Sequence, residues 1–136
     1  MPNLTDVSGQ IVGRSDKIFV AQIARTDTTA KSLFSLPANS IPLAMSITSP
    51  AVSNAGTTAT ISVGKSGGTG VEILTTLDVK GATGSGQQTP VGPAASLFGV
   101  SVGTSALVVT GIYAETGAAS SAGGPWIVAI TVITND

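Results

Sequence analysis

Cysteine and histidine are both absent from the 136 residues of this chain. Without them there is no Cys/His zinc site, no iron–sulfur cluster and no haem ligated through those residues. A Ser-His-Asp or Cys-His nucleophile is excluded as well. No disulfide can form, so a small secreted disulfide scaffold is ruled out. Charge is scarce: six Lys+Arg and seven Asp+Glu give a net charge of -1, and charged residues total 10%. The average domain carries about 25%. No basic cluster is present to neutralise phosphates, which argues against a nucleic-acid-binding face. Aromatics reach only 4%. Long apolar runs are missing too. The longest, residues 126–130, falls far short of the roughly 20 needed to span a bilayer. The start of the chain has neither a basic region nor an apolar region of a secretory signal, and its Met1 fits a cytoplasmic product. The Asn3-Leu4-Thr5 sequon is accordingly read as chance.

Small and β-branched residues are abundant instead. There are 17 Gly, 16 Ser and 18 Thr, together 51 of the 136 residues. The dominant hydrophobic period is two, the signature of strands. Over residues 57–63, Ala59, Ile61 and Val63 alternate with Thr58, Thr60 and Ser62. That pattern predicts a half-buried antiparallel strand. Similar alternation marks 18–24, 31–36, 41–48 and 71–80. Pro42 cannot donate to a ladder, which puts the 41–48 strand at its start or at a sheet edge. Residues 97–102 and 106–113 flank Gly103-Thr104-Ser105 and read as a hairpin. Residues 126–134 are apolar on both faces, so this strand is expected at the centre of a sheet or against a partner chain.

No window holds helical spacing for three turns. About eight short strands separated by Gly/Pro/Ser/Asn turns predict an all-β antiparallel sandwich or barrel with no significant helix. The Gly-rich stretches 64–70, 81–92 and 117–124 read as loops, the last an exposed, mobile tip. Residues 1–17 are more polar and are read as an N-terminal arm, the alternative being a frayed terminus, with the sandwich domain over 18–136.

Candidate chemistry is thin. Gly64-Lys65-Ser66 ends like a phosphate-binding loop, but Ala59 stands where the motif needs Gly. The following Gly67-Gly68-Thr69-Gly70 cannot start the required helix. The 81–86 glycines lack dinucleotide spacing and a surrounding βαβ unit. Asp6, Asp16, Asp27, Glu72, Asp78, Glu115 and Asp136 form no calcium-loop pattern, and Glu72 with Asp78 are read as surface charges, not a glycosidase pair. Trp126 and Tyr113 lie inside apolar runs and are read as core, the alternative being an exposed sugar-binding strip. No catalytic residue, metal site or cofactor is expected.

Four segments carry a resemblance. Residues 35–47 place Pro37-Ala38-Asn39 before an aliphatic strand. Residues 57–64 form a Thr/aliphatic strand ending in Val63-Gly64. Leu77-Asp78-Val79-Lys80 follows, and Gly123-Gly124-Pro125 leads into the final strand to Ile133. Over residues 31–134 the chain resembles small bacteriophage capsid decoration (cement) proteins with a jelly-roll-like β-sandwich. The resemblance implies a non-enzymatic virion protein on the capsid exterior, made in the host cytoplasm and bridging major capsid protein subunits. It implies a homo-oligomer too, a trimer before a dimer, with no nucleic-acid or membrane partner. Candidate subunit or capsid contacts are Leu4, Val7, Ile11 and Val12 in the arm, and Trp126, Ile127 and Ile133 on the double-faced strand. A phage tail, fibre or head–tail connector domain and a carbohydrate-binding module are the alternative readings.

Overall fold

The structure, a computed structural model, describes residues 14–81, 84–88 and 98–135. Among them are eight strands and no helix: β1 (Arg14–Ile23), β2 (Lys31–Leu36), β3 (Ile41–Ser49), β4 (Thr58–Lys65), β5 (Leu74–Asp78), β6 (Gly84–Gln88), β7 (Leu107–Thr116) and β8 (Trp126–Asn135). They form two four-stranded sheets in the orders β1-β8-β3-β6 and β2-β7-β4-β5. Every pairing is antiparallel. Apart from the β4–β5 hairpin, each successive strand lies in the other sheet. Two interleaved four-stranded sheets in this order make a jelly roll.

The alternation seen in the sequence explains the packing. Ile61, Val63, Val109 and Tyr113 of one sheet meet Ile23, Met45, Ile47, Trp126, Val128, Ile130 and Val132 of the other, all buried. β8 is central, between β1 and β3; its Trp126, Val128, Ile130 and Val132 row is buried between the sheets and its other row is half-buried on the outer face. Gly111 sits at the middle of the facing strand β7. A Cβ there would lie 2.6 Å from Ile23 Cδ1 and 3.0 Å from Leu33 Cδ1. Only glycine lets Ile23 fill this point between the sheets. Gly111→Ala is therefore expected to destabilise the fold by about 1–2 kcal/mol through overpacking, read as a lower urea midpoint.

Besides the 71–80 strand, which is confined to β5, four expectations need correction. β1 begins at Arg14, so residues 14–17 belong to the sandwich and not to the arm. Their polarity suits an edge strand, whose backbone is satisfied by the β8 ladder and where Ser15 Oγ and Thr134 Oγ1 lie 3.2 Å apart. The glycine stretch 81–92 contains β6, held to β3 by backbone pairing from Met45↔Gln88 to Ser49↔Gly84. Residues 98–102 do not form a strand of a hairpin. Gly99 and Gly103 have φ of 89° and 100° and break the extended run. The segment instead hydrogen-bonds to the β2–β3 turn through Val102 N–H to Ser40 O (2.9 Å) and Asn39 N–H to Gly103 O (2.7 Å).

The fourth correction concerns the 117–124 loop, which is tied down. Asn54 Oδ1 accepts the N–H groups of Ser121 (2.8 Å) and Ala122 (3.0 Å), and Gly56 N–H donates to Ala118 O (2.8 Å). Small residues here allow the β3–β4 and β7–β8 loops to approach closely.

Candidate interaction surfaces

The two large polar aromatics lie inside. Trp126 and Tyr113 stack with ring centroids 5.1 Å apart and planes 9° from parallel, and neither is exposed. Trp126 Nε1 donates to Ser49 Oγ at 3.1 Å. The Tyr113 hydroxyl donates to Glu115 Oε2 at 2.6 Å and lies 2.6 Å from Ser53 Oγ. Hydrogen bonds from Ser120 and Tyr113 hold the Glu115 carboxyl below its ordinary pKa. Arg25 Nη1 donates to Ser120 O at 3.0 Å on the same end of the sandwich. This network pins loops together around the buried tyrosine. It leaves no exposed aromatic strip for a sugar, and it removes Trp126 from the set of contact residues: a buried indole has no surface to offer a partner.

The glycine loop after β4 has the donors of an anion site, but the chain fills it with its own carboxylate. Glu72 Oε1 accepts Lys65 N–H (3.0 Å) and Gly70 N–H (3.1 Å). Oε2 accepts the Thr69 N–H and the Thr69 hydroxyl (2.8 Å). A Cβ at Gly64 or Gly68 would collide with this carboxylate. Burial raises the Glu72 pKa, but the hydrogen bonds from Lys65 and Thr69 outweigh it and bring it from 4.5 to about 2. The Gly64-Lys65-Ser66 echo of a phosphate loop thus has a structural meaning, and Glu72 is no surface charge. Nothing in the sequence pattern announced this contact.

Other polar groups are similarly engaged by the backbone. A depression of about 550 Å³ is lined by Thr57, Thr60, Asp78 and Lys80 among others. There Asp78 Oδ1 accepts the N–H groups of Lys80 (2.8 Å) and Gly81 (3.0 Å), and Lys80 Nζ donates to Ala55 O (2.7 Å). Among the described residues no three carboxylates converge as metal ligands.

The outer faces of the two sheets differ in character. On the β4–β7 face, Thr58 pairs with Thr116, Thr60 with Ala114, Ser62 with Ile112 and Gly64 with Thr110, and of these Ser62, Gly64 and Thr110 are buried. The Thr58 and Thr116 hydroxyls are 2.6 Å apart. On the other sheet the outward rows are Gln22–Ile127–Thr48, Val20–Ala129–Ser46, Ile18–Thr131–Ala44 and Asp16–Ile133–Ile41. Ile18 is 66% exposed, Val20 57% and Leu43, at the β3 bulge, 44%. Ile127 and Ile133 belong to this face and are half-buried. Leu4, Val7, Ile11 and Val12 lie outside the described residues.

Comparison with solved structures places this fold. A chain from the acid-stable capsid structure of Helicobacter pylori bacteriophage KHP30 matches with a TM-score of 0.61 and 15% identity, over 90% of this chain and 93% of that one. A chain from the capsid asymmetric unit of cyanophage Pam1 matches with a TM-score of 0.56 and 20% identity, over 92% and 87%. The jelly roll is one that phage capsids contain. Both likenesses run nearly end to end, so the shared unit is the whole sandwich. No protein-family model and no curated protein matches the chain.

Proposed function

We propose that this chain is a structural virion protein that binds the outer surface of a bacteriophage capsid and stabilises the shell by bridging major capsid protein subunits. The observation that carries the reading is the jelly roll shared across nearly the full length of chains from two phage capsids. The site chemistry agrees with it. The described carboxylates Glu72 and Glu115 are held by loop hydrogen bonds, and the large aromatics fill the core. What the surface offers is area: one sheet face with the paired Thr58 and Thr116 hydroxyls, and one mixed face on which Ile18, Val20 and Leu43 are exposed.

In this reading the protein acts as a homo-oligomer, a trimer before a dimer, with no catalytic step. Its contacts with itself and the shell come from Leu4, Val7, Ile11 and Val12 and from the face that carries Ile127 and Ile133. Many equivalent copies on one shell add avidity to each weak contact. Purified protein should bind capsids that lack it and raise the temperature at which they break open. Capsids that ignore the added protein and break at an unchanged temperature would refute the reading.

A further inference from the structure

Two four-stranded sheets have four edge strands, and three of these are blunted. β5 and β6 are five residues long. β2 has six, with a register shift between Ser32 and Phe34. Short or irregular edges are how sheets avoid pairing with other chains. β1 has neither protection. Its ten residues run in unbroken register with β8 from Arg14 to Ile23.

Two contacts fix which way its main-chain groups point. Ser15 O accepts the hydroxyl of Thr134, its β8 partner, at 3.2 Å. Gln22 O instead accepts Lys31 Nζ of β2 at 3.2 Å. In an antiparallel ladder the N–H and C=O of one residue point to one side, and those of its neighbours to the other. Asp16, Ile18, Val20 and Gln22 therefore direct their main-chain groups away from β8. All four are exposed, Ile18 at 66% and Val20 at 57%. Among the described residues no strand pairs with this edge.

We propose that β1 pairs antiparallel with β1 of a second copy and joins their two β1-β8-β3-β6 sheets into one. Charge favours this occupant and this direction. Arg14, Asp16 and Lys17 gather at one end of β1, and residues 18–23 carry no charge. Antiparallel pairing sets the charged end of one copy against the uncharged end of the other. Parallel pairing would set like charges side by side, which is destabilising. The register follows too. The outward main-chain groups belong to even-numbered residues, so even-numbered residues must meet. Ile18 opposite Val20 of the second copy, twice over by symmetry, brings the exposed apolar side chains of both copies together. The same register sets Asp16 of the second copy opposite Gln22, whose carbonyl already holds the Lys31 ammonium. A shift of two residues either way would set Val20 against Asp16 or Ile18 against Gln22. The contact is isologous and links copies two by two. It adds to any trimer and depends on neither the trimer nor the capsid reading.

The absence of cysteine makes the test clean. Ile18→Cys chains and Val20→Cys chains are mixed, refolded together and oxidised. Residues opposed in a hydrogen-bonded pair have Cα atoms about 5.5 Å apart, within disulfide range. The mixed 18–20 disulfide, read from the mass of the linked peptides, should exceed the share that random pairing gives. Ile18→Lys puts a charge on the seam and leaves the ladder to β8 intact. It should keep the circular dichroism spectrum and bring the mass in solution to about half that of the wild type. A mixed share no greater than random would overturn the inference. So would a folded Ile18→Lys protein of unchanged mass, or a wild type that is a 13.3 kDa monomer. Should Ile18→Lys fail to fold, the disulfide ratio still decides. No capsid enters the experiment, so its failure leaves capsid binding standing, and a failure to bind capsids leaves this contact standing.

Discussion

Trp126→Ala is expected to cost about 3–5 kcal/mol, the usual range for emptying a fully buried large aromatic site. The indole is enclosed, stacks on Tyr113 and donates to Ser49. Alanine would leave a cavity between the sheets, strip Tyr113 of its stacking partner and orphan the Ser49 hydroxyl contact. Domains of this size have about 5–15 kcal/mol of total stability, so the loss takes a large share of it. Trp126→Phe keeps most of the volume and the stack but loses the N–H, and should cost about 1–2 kcal/mol. Denaturant titration followed by circular dichroism measures both, since Trp126 is the only tryptophan. Near-equal, small losses for the two variants would place the indole at the surface and return it to the contact set.

Glu72→Gln is expected to lose about 2 kcal/mol at neutral pH and progressively less in acid. A pKa brought from 4.5 to about 2 corresponds to roughly 3 kcal/mol, reduced here because the loop residues around it face solvent. The neutral amide turns N–H groups toward donors that were paired with a carboxylate. A group whose folded pKa is depressed contributes its stability above the unfolded pKa and loses it as pH falls through the folded value. The gap between wild type and Glu72→Gln should thus be complete above about pH 5. It should shrink from 4.5 downward and close near pH 2. A gap that stays constant over this window would show that the carboxylate charge does not hold the loop.

These two residues mark how far the sequence could be read. Trp126 is legible as core because it lies inside an apolar run. The same run's two-faced character also made it a candidate contact, and only its position in the sheet separates the two roles. Period-two alternation placed β2 at Lys31–Leu36 and put β3, β4 and β8 within two residues of their observed ends. The polar start of β1 reads as part of the arm, because an edge strand satisfies its backbone without burying every other side chain. β6 was invisible for a related reason. Gly84-Ser85-Gly86-Gln87-Gln88 has no apolar alternation, and β3 recruits it through the backbone ladder. Glu72 was out of reach because its partners are main-chain N–H groups, which every residue carries. Their convergence depends on Gly64, Gly68 and Gly70 folding the loop back over the side chain. The mixed outer face could not be assigned either. Alternation separated Ile18 and Val20 from Phe19 and Ile23, but pairing with β8 decides which set faces outward.

The most direct test of the account is a cryo-electron microscopy map of capsids that lack this protein, recorded before and after its addition. The account predicts new density at equivalent positions on the outer surface of the shell, into which the eight-stranded jelly roll fits. Density confined to the tail or portal, or a shell surface that does not change, would contradict it.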